Sequence, residues 1–198
     1  MNRTIFKHTL ALVLIALVAA LGLAVIYQLT KDTIAKAEAD ERMQSFREVC
    51  PDADRFDPIP GEELTAFNKA HPGAEILEGY RTFDREGNES GVVLSVVSHE
   101  GYGGDIVLSV GINKDGTVSG VMVTSMSETS GLGANCQDKD WAAQFKGKKE
   151  GSLGYVKNGN PGPGEIDAIT GATRTTKAVL EAVNQGLAYA LQALEARG

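Results

Sequence analysis

The sequence predicts an α+β protein with a single N-terminal transmembrane helix, followed by one domain whose mostly antiparallel sheet is flanked by helices. Three observations carry this prediction: a long apolar stretch at the start, short Val/Ile/Leu-rich runs in the middle, and an amphipathic stretch at the end. The chain has 198 residues, so the part that follows the apolar stretch has the size of one ordinary domain with a real core.

The beginning of the chain is dominated by the apolar stretch. Residues 10–26 are apolar throughout, and no charged side chain lies between Lys7 and Lys31. At about 1.5 Å of rise per residue, this uncharged stretch spans roughly 30 Å, close to the thickness of the hydrocarbon layer. A cleaved signal peptide is the alternative, but the apolar run is long for one, and the A-x-A sequence at 35–37 lies far beyond it. We therefore expect a retained anchor within residues 1–30.

Residues 31–50 predict a juxtamembrane helix that continues from the anchor. They are rich in Ala, Glu, Lys and Arg, and they end at Cys50-Pro51, where a helix normally stops. Basic side chains lie on both sides of the apolar stretch, so their count leaves the orientation in the membrane open. Residues 51–198 form the predicted globular domain.

The middle of the chain predicts a sheet. A short helical piece is expected near residues 62–70, and the pattern then becomes one of short apolar runs separated by Gly, Asn and Asp. The runs are 77–83, 92–98, 106–112 and 118–124. Asp115-Gly116, between the last two runs, is a hairpin signal because such a turn needs residues that tolerate positive φ.

The last third of the chain predicts helices and one loop. A helix is expected around residues 138–145, and residues 151–164 form a loop rich in Gly and Pro. Residues 175–196 predict an amphipathic helix. Its apolar positions are Val179, Leu180, Val183, Leu187, Leu191 and Leu194.

Charge and cysteine usage exclude several classes of function. The chain has 19 Lys and Arg, two of which precede Lys31, against 26 Asp and Glu, none of which does. A domain this acidic is unsuited to a nucleic-acid backbone. Cys50 and Cys136 stand in no metal-ligand spacing, so no zinc or iron–sulfur site is expected. Whether they form a disulfide or remain buried thiols is open.

Residues 167–173, here called the entry segment, read Asp-Ala-Ile-Thr-Gly-Ala-Thr and lead from a Gly/Pro loop into the last helix. A helix N-terminus presents unpaired N–H groups and a partial positive charge, which stabilise a phosphate. Gly171 and Ala172 are small enough to let a phosphate approach the backbone. An ordinary Thr or Asp helix cap explains the same pattern. The hydroxyls that crowd this turn belong to Thr170, Thr173, Thr175 and Thr176.

Two further loops are rich in glycine. The glycine loop, residues 101–105, reads Gly-Tyr-Gly-Gly-Asp, and the Glu128 loop, residues 127–133, reads Ser-Glu-Thr-Ser-Gly-Leu-Gly. Either is an ordinary turn, or it permits close approach to a flat ligand on which Tyr102 stacks. No G-x-G-x-x-G or Walker pattern occurs, so a dinucleotide or NTP fold is not indicated. No catalytic triad or His-rich metal set is present, and His71 and His99 are isolated.

Taken together, these segments resemble the FMN-binding domain of the G subunit of the Rnf electron-transport complex, and its relative, the C subunit of the Na⁺-translocating NADH:quinone oxidoreductase. The entry segment matches the family's D-x-x-(S/T)-G-A-T flavinylation sequence, and the resemblance covers essentially the whole chain. The length is closer to that of the Rnf protein. Two positions depart from the family pattern: Ser130 replaces a frequent Pro, and Met126 replaces a frequent His.

The resemblance implies that FMN is joined to Thr173 by a phosphoester. A flavin transferase that uses FAD and Mg²⁺ would attach it outside the cytoplasm, which places residues 51–198 on the extracytoplasmic side and residues 1–30 in the membrane and at its cytoplasmic face. Asp167 either orients the loop or helps the transferase's metal during attachment, or it simply forms an Asx-turn.

The expected flavin site combines the three segments. The glycines would permit close approach of the ring, while Glu128 and Thr129 would address its polar or ribityl atoms. The full set is Thr173, Asp167, Thr170, Gly171, Ala172, Tyr102, Gly103, Gly104, Glu128, Thr129, Gly131 and Leu132.

The function implied by the resemblance is that of an electron relay in the bacterial cytoplasmic membrane. The Rnf complex couples electron transfer between ferredoxin and NAD⁺ to Na⁺ or H⁺ translocation, and its other subunits would be the partners. No catalytic site of the chain's own is expected. The alternatives are a component of the quinone reductase, another membrane-tethered flavin carrier, or a membrane-tethered binding module without flavin.

Overall fold

The computed structural model describes residues 3–149, 152–157 and 159–195. Part of the predicted loop over 151–164 and the predicted helix end at Ala196 therefore lie outside the described residues. The chain divides into two compact units, Met1–Met43 and Gln44–Gly198. The second unit begins before Pro51, where the sequence places the start of the globular domain.

Helix α1 spans Arg3–Val49. Its part up to Met43 belongs to the first unit, and its end, from Gln44 onward, belongs to the second unit. Within the described residues, α1 alone is long and apolar enough to cross a membrane, and its large apolar side chains from Leu10 to Ile34 are exposed. The predicted anchor and the predicted juxtamembrane helix are thus one continuous helix. It ends at Val49, immediately before Cys50-Pro51, as expected from the proline.

The second unit is built on a five-stranded antiparallel sheet in the order β1-β2-β3-β4-β5. Its strands are β1 Arg55–Pro58, β2 Glu75–Phe83, β3 Glu89–Ser98, β4 Ile106–Asn113 and β5 Val118–Ser125. The four predicted strands are confirmed. Strand β1 was not predicted, because its segment is interrupted by prolines; it lies at the sheet edge, where Pro58 costs no ladder hydrogen bond.

The predicted Asp115-Gly116 hairpin is present between β4 and β5. Gly116 has φ +83, which a residue with a side chain rarely adopts. The Asp115 carboxylate accepts hydrogen bonds from the Thr117 amide at 2.9 Å and the Thr117 hydroxyl at 2.6 Å. These bonds hold the turn and lower the pKa of Asp115.

Two of the three predicted helical segments of the domain are confirmed as helices, α2 Gly61–Ala70 and α4 Thr173–Glu195. The third, around 138–145, contains only the single turn α3, Lys139–Ala142, between the 3-10 turns Gly133–Gln137 and Ala143–Phe145. Asp138 caps α3 by accepting from the amides of Asp140 and Trp141. The helix is thus shorter than its sequence pattern suggests.

Helix α4 packs on β3 and β4 and supplies one side of the main core. Val179, Val183 and Leu187 are fully buried, and Leu180 is nearly so. They share this core with strand residues, which include Leu94, Val96, Leu108, Val110 and Ile112. Two predicted positions at the helix end, Leu191 and Leu194, are only half-buried.

The last turn of α1 packs within the second unit. Phe46 is fully buried and its ring lies 5.5 Å from that of Tyr80 in β2. The hydroxyls of Ser45 and Ser109 are 2.8 Å apart, and the Ser119 hydroxyl donates to the Val49 carbonyl at 2.6 Å. The globular unit therefore includes the end of the long helix.

A short parallel pair leads into the site. Strands β6, Gly154–Val156, and β7, Glu165–Asp167, pair in parallel and were not predicted. Each has only three residues, which is too short to show an alternating pattern. Strand β7 ends at the first residue of the entry segment and thus directs the chain toward the start of α4.

Candidate functional site

The three segments singled out in the sequence meet through the side chain of Glu128. Its Oε1 accepts a hydrogen bond from the Gly103 amide of the glycine loop at 2.9 Å. Its Oε2 accepts from the Thr175 hydroxyl in the first turn of α4 at 2.7 Å. One carboxylate of the Glu128 loop thus joins the other loop to the start of the helix.

Glycines surround this carboxylate closely. A Cβ on Gly101 would lie 2.2 Å from the Gly104 carbonyl oxygen and 2.9 Å from Glu128 Oε1. A Cβ on Gly133 would lie 2.3 Å from Glu128 Oε2 and 2.7 Å from Thr175 Oγ1. Gly133 has no room for a side chain while Glu128 holds this position, and Gly101 has none because of the Gly104 backbone as well.

A second link joins the same two elements. The Arg174 Nε donates to the Glu100 carbonyl at 3.0 Å, immediately before the glycine loop. The Arg174 guanidinium also lies 4.0 Å from the Glu100 carboxylate, and both side chains are largely exposed. This cation lies directly beside Thr173 in the chain.

Thr173 is the first residue of α4 and is half-buried. Its hydroxyl has no hydrogen-bond partner among the residues that the structure describes. The first helical bond in this turn runs from the Thr176 amide to the Ala172 carbonyl at 3.0 Å. The amides that precede Thr176 at the helix start have no helical carbonyl to bind and are available to an anion.

The other hydroxyls of the turn differ in accessibility. Thr175 and Thr176 are almost fully buried, at 1% and 0% exposure. The Thr176 hydroxyl donates to the Ala172 carbonyl and accepts from the Ile169 amide, both at 3.1 Å. Thr170 is exposed. Only Thr170 and Thr173 therefore offer a hydroxyl of this turn to a reagent in solution.

An exposed apolar rim lies at the site. Tyr102 is 73% exposed in the glycine loop, and Leu132 is 45% exposed in the Glu128 loop. Gly171 has φ +79, and a Cβ there would lie 3.1 Å from Leu132 Cδ2. The entry segment thus passes directly against the Leu132 side chain, while Ala172 beneath it is buried.

The remaining predicted residues of the two loops face open space or form turns. Gly104 and Gly131 have φ +121 and +76, and a Cβ on either would contact nothing within 4 Å. The Thr129 carbonyl accepts from the amides of Leu132 and Ala134, each at 3.1 Å, while its residue is exposed. Gly104, Gly131 and Thr129 thus leave space at the site open to a ligand.

The backbone of Asp167 is hydrogen-bonded to two side chains that lie outside the entry segment. Its carbonyl accepts from the Trp141 indole N–H at 2.9 Å, and its amide donates to Gln144 Oε1 at 2.8 Å. Its carboxylate accepts from the Gly159 amide at 3.2 Å. That bond stabilises a loop eight residues earlier, so it is not an Asx-turn. Trp141 and Gln144 are structural supports that the sequence reasoning did not identify, because nothing in their spacing links them to residue 167.

The electrostatics of the site reflect burial and local pairing. Burial raises the pKa of the Cys136 thiol to about 11, with a smaller contribution from the charge of Glu128. The Nδ1 of His99 lies 2.8 Å from Asp105 Oδ1 at the end of the glycine loop, and the hydrogen bond that His99 donates to this carboxylate raises the pKa of His99. Within the described residues, no group of three or more His, Cys, Asp or Glu side chains is placed to hold a metal ion.

Comparison with known proteins agrees with this geometry. Residues 101–188, which contain all three segments, match the FMN-binding domain family, and residues 1–49 match the RnfG N-terminal region. The chain is 31% identical to the G subunit of the ion-translocating oxidoreductase complex of Methanosarcina acetivorans, over 95% of each chain. It is 32% identical to the G subunit of the Na⁺-translocating ferredoxin:NAD⁺ oxidoreductase complex of Acetobacterium woodii, over 93% of this chain and 91% of that one.

A solved structure of a related protein shares the fold. It is the C subunit of the Na⁺-translocating NADH-quinone reductase from Parabacteroides distasonis, with a TM-score of 0.55 over 74% of this chain and 80% of that one. The two sequences are 20% identical, so the likeness concerns the fold alone.

Proposed function

The chain belongs to the RnfG family, the G subunits of ion-translocating oxidoreductase complexes, and we propose that it is an electron-relay flavoprotein that carries FMN covalently on Thr173. The observation that supports this attachment site is the environment of the Thr173 hydroxyl. Its hydroxyl is accessible and has no partner among the described residues, at the start of a helix, in the last position of the flavinylation-like motif.

The attachment is a phosphoryl transfer. A flavin transferase with Mg²⁺ would supply FAD, and the Thr173 oxygen would attack the phosphorus of its FMN half. The new bond is the Thr173 Oγ–P ester, the pyrophosphate bond of FAD breaks, AMP leaves, and the hydroxyl proton is released. Thr175 and Thr176 are poor acceptors because their hydroxyls are buried and already hydrogen-bonded.

The residues present fit an FMN phosphate and ring. The unpaired amides and positive end of α4 would stabilise the phosphodiester charge, and Arg174 adds a cation in a site that is otherwise acidic. Tyr102 and Leu132 offer exposed apolar surface to the ring, Gly104 and Gly131 leave room beside the backbone, and Gly171 lies against Leu132. The proposed site also includes Thr129, Thr170, Ala172, Gly103 and Asp167. Bound FMN would supply the redox chemistry, and the protein its position and tuning.

The relay would work within a larger complex. The proposed flavin site lies at the surface, where the Tyr102 and Leu132 side chains are exposed and could face a partner. We infer that the other subunits of an Rnf-type complex are the partners, and that the complex couples ferredoxin and NAD⁺ chemistry to Na⁺ or H⁺ translocation. The anchor would lie in the bacterial cytoplasmic membrane, with residues 51–198 on the extracytoplasmic side.

Two alternatives remain distinct from this proposal. A role as the C subunit of the NADH-quinone reductase predicts co-purification with the other components of that enzyme. The match of residues 1–49 to the RnfG N-terminal region favours the Rnf complex. A membrane-tethered binding module without flavin predicts a colourless chain in which Thr173 only begins a helix.

The test compares matched threonine variants of the full chain, co-expressed with a flavin transferase. We expect Thr173→Val to abolish the flavin fluorescence of the chain on a denaturing gel and Thr170→Val to retain it. Both variants should stay folded, because a threonine at a helix start contributes only about 1 kcal/mol. Fluorescence that persists in Thr173→Val and disappears in Thr170→Val would move the attachment site to Thr170.

A further inference from the structure

We propose that Glu128 is a positioning residue of the flavin site: its carboxylate holds the glycine loop against the first turn of α4 and thereby fixes that loop beside Thr173. This role rests on the proposed function and replaces the direct contact between Glu128 and flavin that the sequence suggested. It also assigns a purpose to Gly133, where a side chain would meet the Glu128 carboxylate.

The first argument is that both carboxylate oxygens are already used. Oε1 accepts from the Gly103 amide and Oε2 from the Thr175 hydroxyl, at 2.9 and 2.7 Å. The two donors lie 25 and 47 residues from Glu128 in the chain, on different elements. Hydrogen bonds to an ionised group are roughly twice as strong as neutral ones, so this side chain is suited to joining the two elements.

The second argument is steric. The positions where Gly101 and Gly133 would carry a Cβ lie within 3 Å of the Glu128 carboxylate oxygens. The glycine at 133 also leaves space for Thr175 Oγ1. Gly133 therefore makes room for the carboxylate, whereas at Gly101 the Gly104 carbonyl oxygen, 2.2 Å from the Cβ position, is the nearer obstacle. Gly104 and Gly131 face open space.

The third argument is the place of the two anchored groups relative to Thr173. Thr175 follows Thr173 by two residues, and Gly103 is adjacent to Tyr102, the most exposed aromatic residue of the proposed site. The Arg174–Glu100 hydrogen bond closes the same junction at its other end. Loss of Glu128 would free the glycine loop, and with it the Tyr102 side chain, from the helix that carries the flavin.

The experiment uses the full chain, purified in detergent with its flavin, as wild type, Glu128→Ala and Glu128→Gln. Glutamine can accept from the Gly103 amide and donate to the Thr175 oxygen, so it should preserve the junction. Thr175→Val, which removes only the bond to Oε2, covers the case that Glu128→Ala does not fold. Glu63→Ala is the matched control: Glu63 accepts from the Tyr189 hydroxyl at 2.6 Å, and Tyr189 lies about 24 Å along α4 from Thr173 at 1.5 Å per residue.

Four quantities are measured: covalent flavin by intact mass, hydrogen exchange of the peptide that contains Gly103, the fluorescence anisotropy of the flavin, and its reduction potential. We expect Glu128→Ala to keep the covalent flavin, to exchange at the glycine loop about tenfold faster or more, and to show lower anisotropy and a shifted potential. Glu128→Gln should show the exchange rate and anisotropy of the wild type. Thr175→Val should change the exchange rate and the anisotropy less than Glu128→Ala does. Glu63→Ala should leave both at their wild-type values.

The outcomes separate the two proposals. A wild-type chain without covalent flavin contradicts the proposed function and this role with it. A flavin-loaded Glu128→Ala with wild-type exchange contradicts the positioning role alone. Faster exchange with unchanged anisotropy and potential also overturns it, because Glu128 would then stabilise the fold without influencing the flavin.

Discussion

At the scale of single residues, the environment of each hydroxyl distinguishes the threonines at the start of α4. Thr175 and Thr176 are held in internal hydrogen bonds, Thr170 is exposed on the preceding turn, and Thr173 begins the helix. A phosphate on Thr173 would lie closest to the unpaired amides and to the positive end of the helix, where it is stabilised. The same charge on Thr170 would lie one turn earlier, outside the helix.

The two cysteines lead to a prediction about thiol chemistry. Both are free and buried in the structure, and burial raises the pKa of each thiol from 9.0 to about 11. Because the thiolate is the reactive form, we expect neither to react with a thiol reagent in the folded chain at about pH 8, below the ordinary thiol pKa. Both should react once the chain is unfolded without a reductant. Fewer than two thiols in the unfolded chain would indicate a disulfide instead.

The same raised pKa values set the sign of a pH effect. The folded state binds the thiol protons more tightly than the unfolded state. Their contribution to stability is therefore fully present below pH 9.0 and is lost as the pH rises toward about 11. The free energy of unfolding, measured with denaturant between these pH values, gives the loss. With Cys50→Ala the free energy of unfolding should fall less steeply as the pH rises.

The location of the site was predictable from local sequence, whereas its internal contacts were not. The entry segment and the two loops are each marked by glycines and hydroxyls, and the structure brings all three together. The partners of Glu128 depend on which residues of distant elements come into register, and spacing along the chain does not reveal this. For the same reason the sequence did not show that the Glu128 carboxylate accepts hydrogen bonds from Gly103 and Thr175.

At the scale of elements, the predictions succeeded where a pattern is long enough to repeat. Strands β2 to β5 and helix α4 have eight residues or more, which is long enough for an apolar run in each strand and for the helical spacing of apolar residues in α4 to be visible. Strands β1, β6 and β7 have three or four residues, and prolines or glycines flank them. Tertiary contacts determine such short strands, and an isolated sequence does not show those contacts.

Helix α4 should derive its stability from its middle turns. Leu187 is fully buried, whereas Leu191, one turn later, is half-buried. Leu187→Ala is expected to lower the free energy of unfolding by about 2–5 kcal/mol, and Leu191→Ala by less than half as much. Denaturant unfolding measures both variants. An equal effect of the two substitutions would mean that α4 packs evenly along its length, contrary to the structure.

At the scale of the whole molecule, the boundary of the globular unit lies inside the long helix. The compact unit begins at Gln44, and Phe46 and Val49 are among its buried residues. The sequence suggested a boundary at Pro51, since proline ends the helix. A helix end and a domain boundary need not coincide, because packing and not backbone continuity defines the domain.

This boundary predicts the behaviour of two fragments. Residues 44–198 should fold without detergent, because they retain the buried last turn of α1. Residues 51–198 should be less stable by about 3–5 kcal/mol or more, the usual cost of losing one buried aromatic side chain such as Phe46. Denaturant unfolding of both fragments is the measurement. Equal stability would show that the last turn of α1 contributes nothing to the domain.

The central claim, that FMN is covalently attached to Thr173, is tested most directly by tandem mass spectrometry of the tryptic peptide that spans residues 158–174. Trypsin cleaves after Lys157 and Arg174, so this peptide contains Thr170 and Thr173 but neither Thr175 nor Thr176. We predict that the peptide from the native chain gains the mass of FMN less one water, and that its fragment ions place this mass on Thr173. An unmodified peptide from a chain matured with the transferase, or a mass placed on Thr170, would contradict the account.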